Sequence, residues 1–137
     1  MRKIFAHISL FLLISCSSGS QNEEGTFAED AGYIQVVLFH MQKRCESCDA
    51  VELETLKLLD EEYAEELNSG IIKFIPLNYQ SENGKRAAEI LRATGQTLYV
   101  VKGERVSNLT SAAFMYAHTH PSYYTDVLRR ELDQYLE

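Results

Sequence analysis

YIQVVLFHMQKRCESCDAVELETLKLL, residues Tyr33 to Leu59, decides how the rest of the chain is read. It opens with an apolar run, Tyr33 to Phe39, and continues through a short polar turn, His40 to Arg44. Cys45-Glu46-Ser47-Cys48 follows, and then a long segment of helical character. Strand, turn, Cys-x-x-Cys, helix is the order that builds a redox-active dithiol. The first thiol falls at the helix N-terminus, where unpaired backbone N–H groups and the helix dipole favour a thiolate. The second lies one turn later, within reach of a mixed disulfide formed by the first. The spacing is therefore a chemical requirement: one sulfur attacks and the other resolves.

Two other readings use the same residues. Zinc asks for four ligands, usually from two such pairs. This chain has one pair, and its remaining cysteine is Cys16. His40, His118 and His120 are the histidines that could join Cys45 and Cys48 around zinc, copper or a thiophilic arsenic species. They show no second ligand pair with the usual spacing, and His118 and His120 also read as surface residues of a loop. A purely structural bridge is the third reading. A loop this short gains little from cross-linking, since the entropic benefit grows with loop length.

The N-terminus carries a targeting pattern. Arg2 and Lys3 form a positive region, and Ile4 to Ile14 an apolar one too short to span a bilayer. It ends in Leu13-Ile14-Ser15-Cys16, which resembles the bacterial lipobox, whose cysteine is lipidated and becomes the mature N-terminus. An ordinary secretory signal cut nearby is the alternative. On the lipoprotein reading residues 1–15 are removed and Cys16 carries lipid. Residues 16–32, small, polar and acidic, are a flexible tether, and 33–137 form one domain. Cys45 and Cys48 are then an even pair outside the cytoplasm, in the cell envelope on the periplasmic side, where disulfides persist and a redox partner keeps a dithiol working. The whole chain carries 13 basic and 20 acidic residues, net −7. Loss of Arg2 and Lys3 makes it more acidic still. That balance disfavours nucleic acid and anionic headgroups, so the expected membrane tie is the lipid.

The remainder reads in order. Tyr33 to Phe39 is a central strand buried on both faces, and His40, closing it, is either a proton relay to the dithiol or a hydrogen-bonded strand-end histidine. A helix over about Cys45 to Asn68 turns Leu56, Leu59, Tyr63 and Leu67 inward and an acidic face outward. Ile71 to Tyr79 is a second strand, and Pro76 puts it at a sheet edge or a bulge. Ser81 caps a helix over about Asn83 to Thr94, with Ala87, Ile90 and Leu91 inward and Gly95 ending it. Thr97 to Val101 is a third strand, Lys102-Gly103-Glu104 a hairpin turn, and Arg105 to Leu109 a short fourth strand. Asn108 or Thr110 caps a helical turn, Ser111 to Ala117. Pro121 opens the last helix, whose buried face is Tyr124, Val127, Leu128, Leu132 and Tyr135.

The order β-α-β-α-β-β-α, with the dithiol at the junction between the first strand and the first helix, resembles the thioredoxin fold. That is an α/β domain with a central mixed sheet of about four strands. The segment Phe39 to Glu52, centred on Arg44-Cys45-Glu46-Ser47-Cys48, is similar to the signature of a small family of bacterial thioredoxin-like proteins. These are thioredoxin-like subunits of a nitrophenyl compound nitroreductase. The segment Asn108 to Ala117 followed by Pro121 is similar too. The resemblance implies a functional pair at Cys45 and Cys48, and electrons passed to a nitroaromatic or nitroarsenical substrate through partner proteins, one of them a membrane permease-like subunit.

The chain departs from ordinary thioredoxins in three places. Arg44 stands where they carry tryptophan, Glu46-Ser47 replaces Gly-Pro, and Gln96 occupies the place of the cis-proline facing the dithiol. Arg44 should lower the thiol pKa and Glu46 raise it. A cis peptide before a non-proline residue costs roughly 2.5–4 kcal/mol, so a trans bond is expected before Gln96. No Gly-x-Gly-x-x-Gly segment offers a flavin or nicotinamide site, and the expected redox centre is the Cys45–Cys48 disulfide itself.

Overall fold

Seven consecutive residues, five of them apolar, make a strand that must be covered on both faces, and the rest of the domain does the covering. In the computed structural model, which describes residues 25–137, this run is β1 (Ile34–His40). It is followed by α1 (Glu46–Glu62), α2 (Ala64–Ser69), β2 (Ile72–Asn78), α3 (Glu82–Leu91), β3 (Thr97–Lys102), β4 (Arg105–Asn108), α4 (Thr110–Tyr116) and α5 (Pro121–Leu136). One sheet runs β2-β1-β3-β4. β2 is parallel to β1, whereas β3 is antiparallel to β1 and β4 antiparallel to β3. This is the thioredoxin-like arrangement: a β-α-β unit, an intervening helix, a hairpin and a closing helix.

Alternation along β1 sends Ile34, Val36 and Leu38 into one core and Val37 and Phe39 into another. The first core is closed by Val51, Leu58 and Leu59 of α1, Ala113 of α4, and Tyr124, Leu128, Leu132 and Tyr135 of α5. The second is closed by Ala87 and Ala88 of α3. β2 lies at the sheet edge, where the missing N–H of Pro76 costs no ladder bond.

Several sequence expectations are corrected in detail. The single helix over Cys45 to Asn68 is two, because Tyr63 leaves helical geometry (φ −126°, ψ 27°) between α1 and α2. Its inward stripe is Cys48, Val51, Thr55, Leu58 and Leu59. Leu56 is 43% exposed, because burial of Thr55 and Leu58–Leu59 puts position 56 on the outside. Tyr63 is buried as expected, donating to Asp133 Oδ1 at 2.7 Å, and Leu67 is half-buried. The next helix ends at Leu91, ahead of Gly95, because Arg92 itself takes the left-handed conformation (φ 53°). It packs through Gly84, Ala87 and Ala88, and Ile90 is exposed. Ser81 does cap it, accepting from the Gly84 N–H at 2.9 Å. In α5 Pro121 is the first residue, and Tyr124, Leu128, Leu132 and Tyr135 are buried, with Val127 half-buried.

The stretch before Tyr33 was expected to be tether; from Gly25 onward it is bonded to the sheet. Gln35, fully buried near the start of β1, accepts from the Ala28 N–H at 2.9 Å and donates to the Ala28 carbonyl at 2.8 Å. Gly25 N–H donates to the Pro76 carbonyl at 3.2 Å, and Phe27 packs against the second core. A buried carboxamide needs both its donor and its acceptor satisfied, and this backbone supplies both.

Candidate active site

The dithiol sits where β1 delivers the chain to α1. Cys45 is the residue just before the first turn of α1, with extended backbone (φ −120°, ψ 164°), so its sulfur lies beside the free N–H groups of that turn. Cys48, one turn on, lies on the inward stripe of α1 and is fully buried, whereas Cys45 is exposed. The two sulfurs are 3.7 Å apart, both as free thiols. One cysteine is open to solvent and its neighbour is buried beside it.

Their acidities diverge. The backbone N–H of Cys48 is the main influence lowering the Cys45 pKa. It outweighs partial burial, and the Cys48 thiol, Gln96 and the Ser47 N–H add to it. Burial pushes the Cys48 thiol up, and its hydrogen bond with Cys45 pushes the same way. This is the division expected of an attacking thiolate and a resolving thiol held in reserve.

The contest expected between Arg44 and Glu46 does not set the Cys45 acidity. Arg44 ion-pairs with Glu52, and its Nε lies 3.0 Å from Asp49 Oδ1, so two carboxylates of α1 take up its charge. It lowers Cys48 slightly, and neither it nor Glu46 is among the groups that shift Cys45. His40 Nδ1 lies 3.1 Å from the Met41 carbonyl, the kind of contact a hydrogen-bonded strand-end histidine makes. His120 Nδ1 lies 3.1 Å from Thr119 Oγ1, in the connection between α4 and α5, with its ring edge-on to Tyr116. Among the described residues no three His, Cys, Asp or Glu side chains gather as a metal site. Cys45, Cys48 and the histidines are thus not brought together. Cys16 lies outside the described residues, and among the described residues no helix is long and apolar enough to cross a membrane.

Gln96 does reach the dithiol. Its Nε2 lies 3.8 Å and its Oε1 4.0 Å from Cys45 Sγ. No cis peptide bond occurs among the described residues, and the bond before Gln96 is trans. Sequence reasoning placed Gln96 opposite the dithiol by its position before the third strand. It missed Gln80, whose Oε1 accepts from the Gln42 N–H at 3.0 Å and ties the loop after β2 to the dithiol loop. Gln80 also lines a cleft of about 530 Å³ with Tyr79, Lys85, Arg92 and Thr94.

No protein-family model matches the chain. No curated protein sequence matches it either. Among solved structures, thioredoxin f2 of Chlamydomonas reinhardtii is similar at 18% identity and a TM-score of 0.43, over 58% of this chain and 68% of that one. A malarial protein is similar at 16% identity and a TM-score of 0.41, over 64% of this chain and 98% of the other. At such scores neither likeness bears on activity, and the fold rests on the strand order and connections described above.

Proposed function

We propose that this chain is a thiol–disulfide oxidoreductase working through Cys45 and Cys48. The observation that carries the reading is the pairing of an exposed, acidified Cys45 with a buried Cys48 whose sulfur lies 3.7 Å away at the head of α1. The Cys45 thiolate attacks a substrate disulfide R–S–S–R′, forming a Cys45–S–S–R bond and releasing R′S⁻. Cys48 gives up its proton and attacks Cys45 Sγ. That forms the Cys45–Cys48 disulfide and releases RS⁻, and both released thiolates end as thiols. The substrate gains two electrons and the protein dithiol loses two. A second dithiol restores the starting state by the same steps in reverse.

The finer reading is an electron-relay subunit that feeds a nitroaromatic or nitroarsenical reductase system from the bacterial cell envelope. It is anchored through lipidated Cys16 and works with a membrane permease-like partner. Its support is the similarity of the segments around Arg44-Cys45-Glu46-Ser47-Cys48 and Asn108 to Ala117. Reduction of a nitro group to an amine needs six electrons and one dithiol supplies two, so this chain would act as a repeated donor to a partner.

The test is trapping. Cys48→Ser should accumulate a mixed disulfide through Cys45 with a disulfide-bearing protein substrate, and Cys45→Ser should exchange nothing. A Cys48→Ser protein that turns over like the wild type refutes the assigned roles.

A further inference from the structure

We infer that Gln96 is a two-way hydrogen-bond partner of Cys45, accepting from its thiol through Oε1 and donating to its thiolate through Nε2. The inference rests on the dithiol reading and deepens it.

The contact spans two segments far apart in sequence, yet the fold pins both. Thr97 pairs with Phe39 in the β1–β3 ladder. The residue before Thr97 and the loop after Phe39 are therefore held at the same end of the sheet. Gly95 sits at φ 104°, a conformation that only glycine adopts without steric cost, and it turns the chain into β3 at that place. Gln96, half-buried, then presents its carboxamide to the Cys45 sulfur with Nε2 at 3.8 Å and Oε1 at 4.0 Å. Both ends of the amide are almost equally near.

A carboxamide carries a donor and an acceptor on one planar group. A neutral Cys45 has an S–H to give, and Oε1 takes it. A thiolate has only lone pairs, and Nε2, at 3.8 Å, offers it N–H. Hydrocarbon at this position could serve neither state, and a carboxylate could serve only the thiol. The donated bond matters twice in a cycle. It favours Cys45 as thiolate before attack. It also favours Cys45 as leaving thiolate when an incoming dithiol breaks the Cys45 bond in the restoring step.

The experiment uses the reduced full chain, with iodoacetamide labelling of Cys45 followed across pH by peptide mass spectrometry. Gln96→Glu keeps the shape, loses the donor and adds a negative charge beside the sulfur. It should raise the Cys45 labelling midpoint by about one unit. Below both midpoints labelling should slow roughly threefold, a tenfold loss of thiolate being partly offset by the greater nucleophilicity of a less acidic thiol. Gln96→Leu should raise the midpoint by less. If either variant unmasks the buried Cys48, which reports a disturbed fold, Gln96→Asn takes its place. Its shorter amide falls short of the sulfur and should shift the midpoint the same way. Midpoints within a few tenths of a unit of wild type in the folded variants overturn the inference. That failure is distinct from failure of the dithiol reading, which would show in the Cys48→Ser trapping experiment whatever residue stands at 96.

Discussion

α1 carries the dithiol at its head, and halfway along its buried face a single hydroxyl pair ties it to α5. Thr55 and Tyr124 are both fully buried. Thr55 Oγ1 donates to the Val51 carbonyl at 2.6 Å and lies 2.6 Å from the Tyr124 hydroxyl. The threonine has one proton and gives it to Val51, so Tyr124 is the donor of the pair. This direction predicts unequal costs. Tyr124→Phe removes a donor and leaves Thr55 with its bond to Val51, a loss of about 1 kcal/mol. Thr55→Val keeps the volume but strands a buried tyrosine hydroxyl, which costs about 1–3 kcal/mol. The double variant replaces both polar partners with apolar groups of the same shape and should cost less than the two singles together, with a coupling of about 1–2 kcal/mol. Denaturant unfolding of the four proteins, with constant slopes, measures every corner of the cycle. Strictly additive costs would refute the coupling, and a Thr55→Val no worse than Tyr124→Phe would refute the assigned donor direction.

Other consequences follow from the same geometry. A Cβ on Gly84 would come 1.8 Å from the Asn78 carbonyl oxygen, so Gly84→Ala should force α3 off β2 and cost about 1–3 kcal/mol or more, read as a fall in unfolding midpoint. Arg129 bridges α5 to Glu62 with two bonds of 2.6 Å each. The pair is partly exposed, so Arg129→Ala should lower the unfolding midpoint only slightly, and the loss should shrink in high salt. The thiols should leave a mark on the stability of the reduced protein. The lowered Cys45 pKa makes stability rise with pH up to the ordinary thiol range. The raised Cys48 pKa makes it fall with pH above that range. Reduced-minus-oxidised stability should therefore peak near about pH 8.5, and a monotonic difference would contradict the divergent acidities.

The sequence disclosed the order of elements along the chain and the dithiol because their signals are local. A continuous apolar run, a Cys-x-x-Cys and an edge-placing Pro76 need no partner to be read. What it hid depended on partners. Leu56 looked like an inward residue, but α1 turns Thr55 inward instead, where Tyr124, 69 residues later, satisfies its hydroxyl. Gln35 sat inside a buried strand with no visible reason, because its two partners are the backbone of Ala28 in a stretch that reads as tether. Arg44, opposed by Glu46, looked set to tune Cys45 because it is adjacent in sequence. In three dimensions Asp49 and Glu52 claim it, and backbone N–H groups do the work instead. α3 was expected to bury Ile90, but it approaches the sheet through Gly84, Ala87 and Ala88, a close packing that hydropathy alone does not reveal.

The most direct test is the ionisation of the two sulfurs in the reduced wild-type chain, followed residue by residue through alkylation across pH. Cys45 should label with a midpoint below that of free cysteine, about 8.5, while Cys48 stays protected until higher pH. A Cys45 that ionises no more readily than free cysteine, or a Cys48 that labels alongside it, would contradict the account.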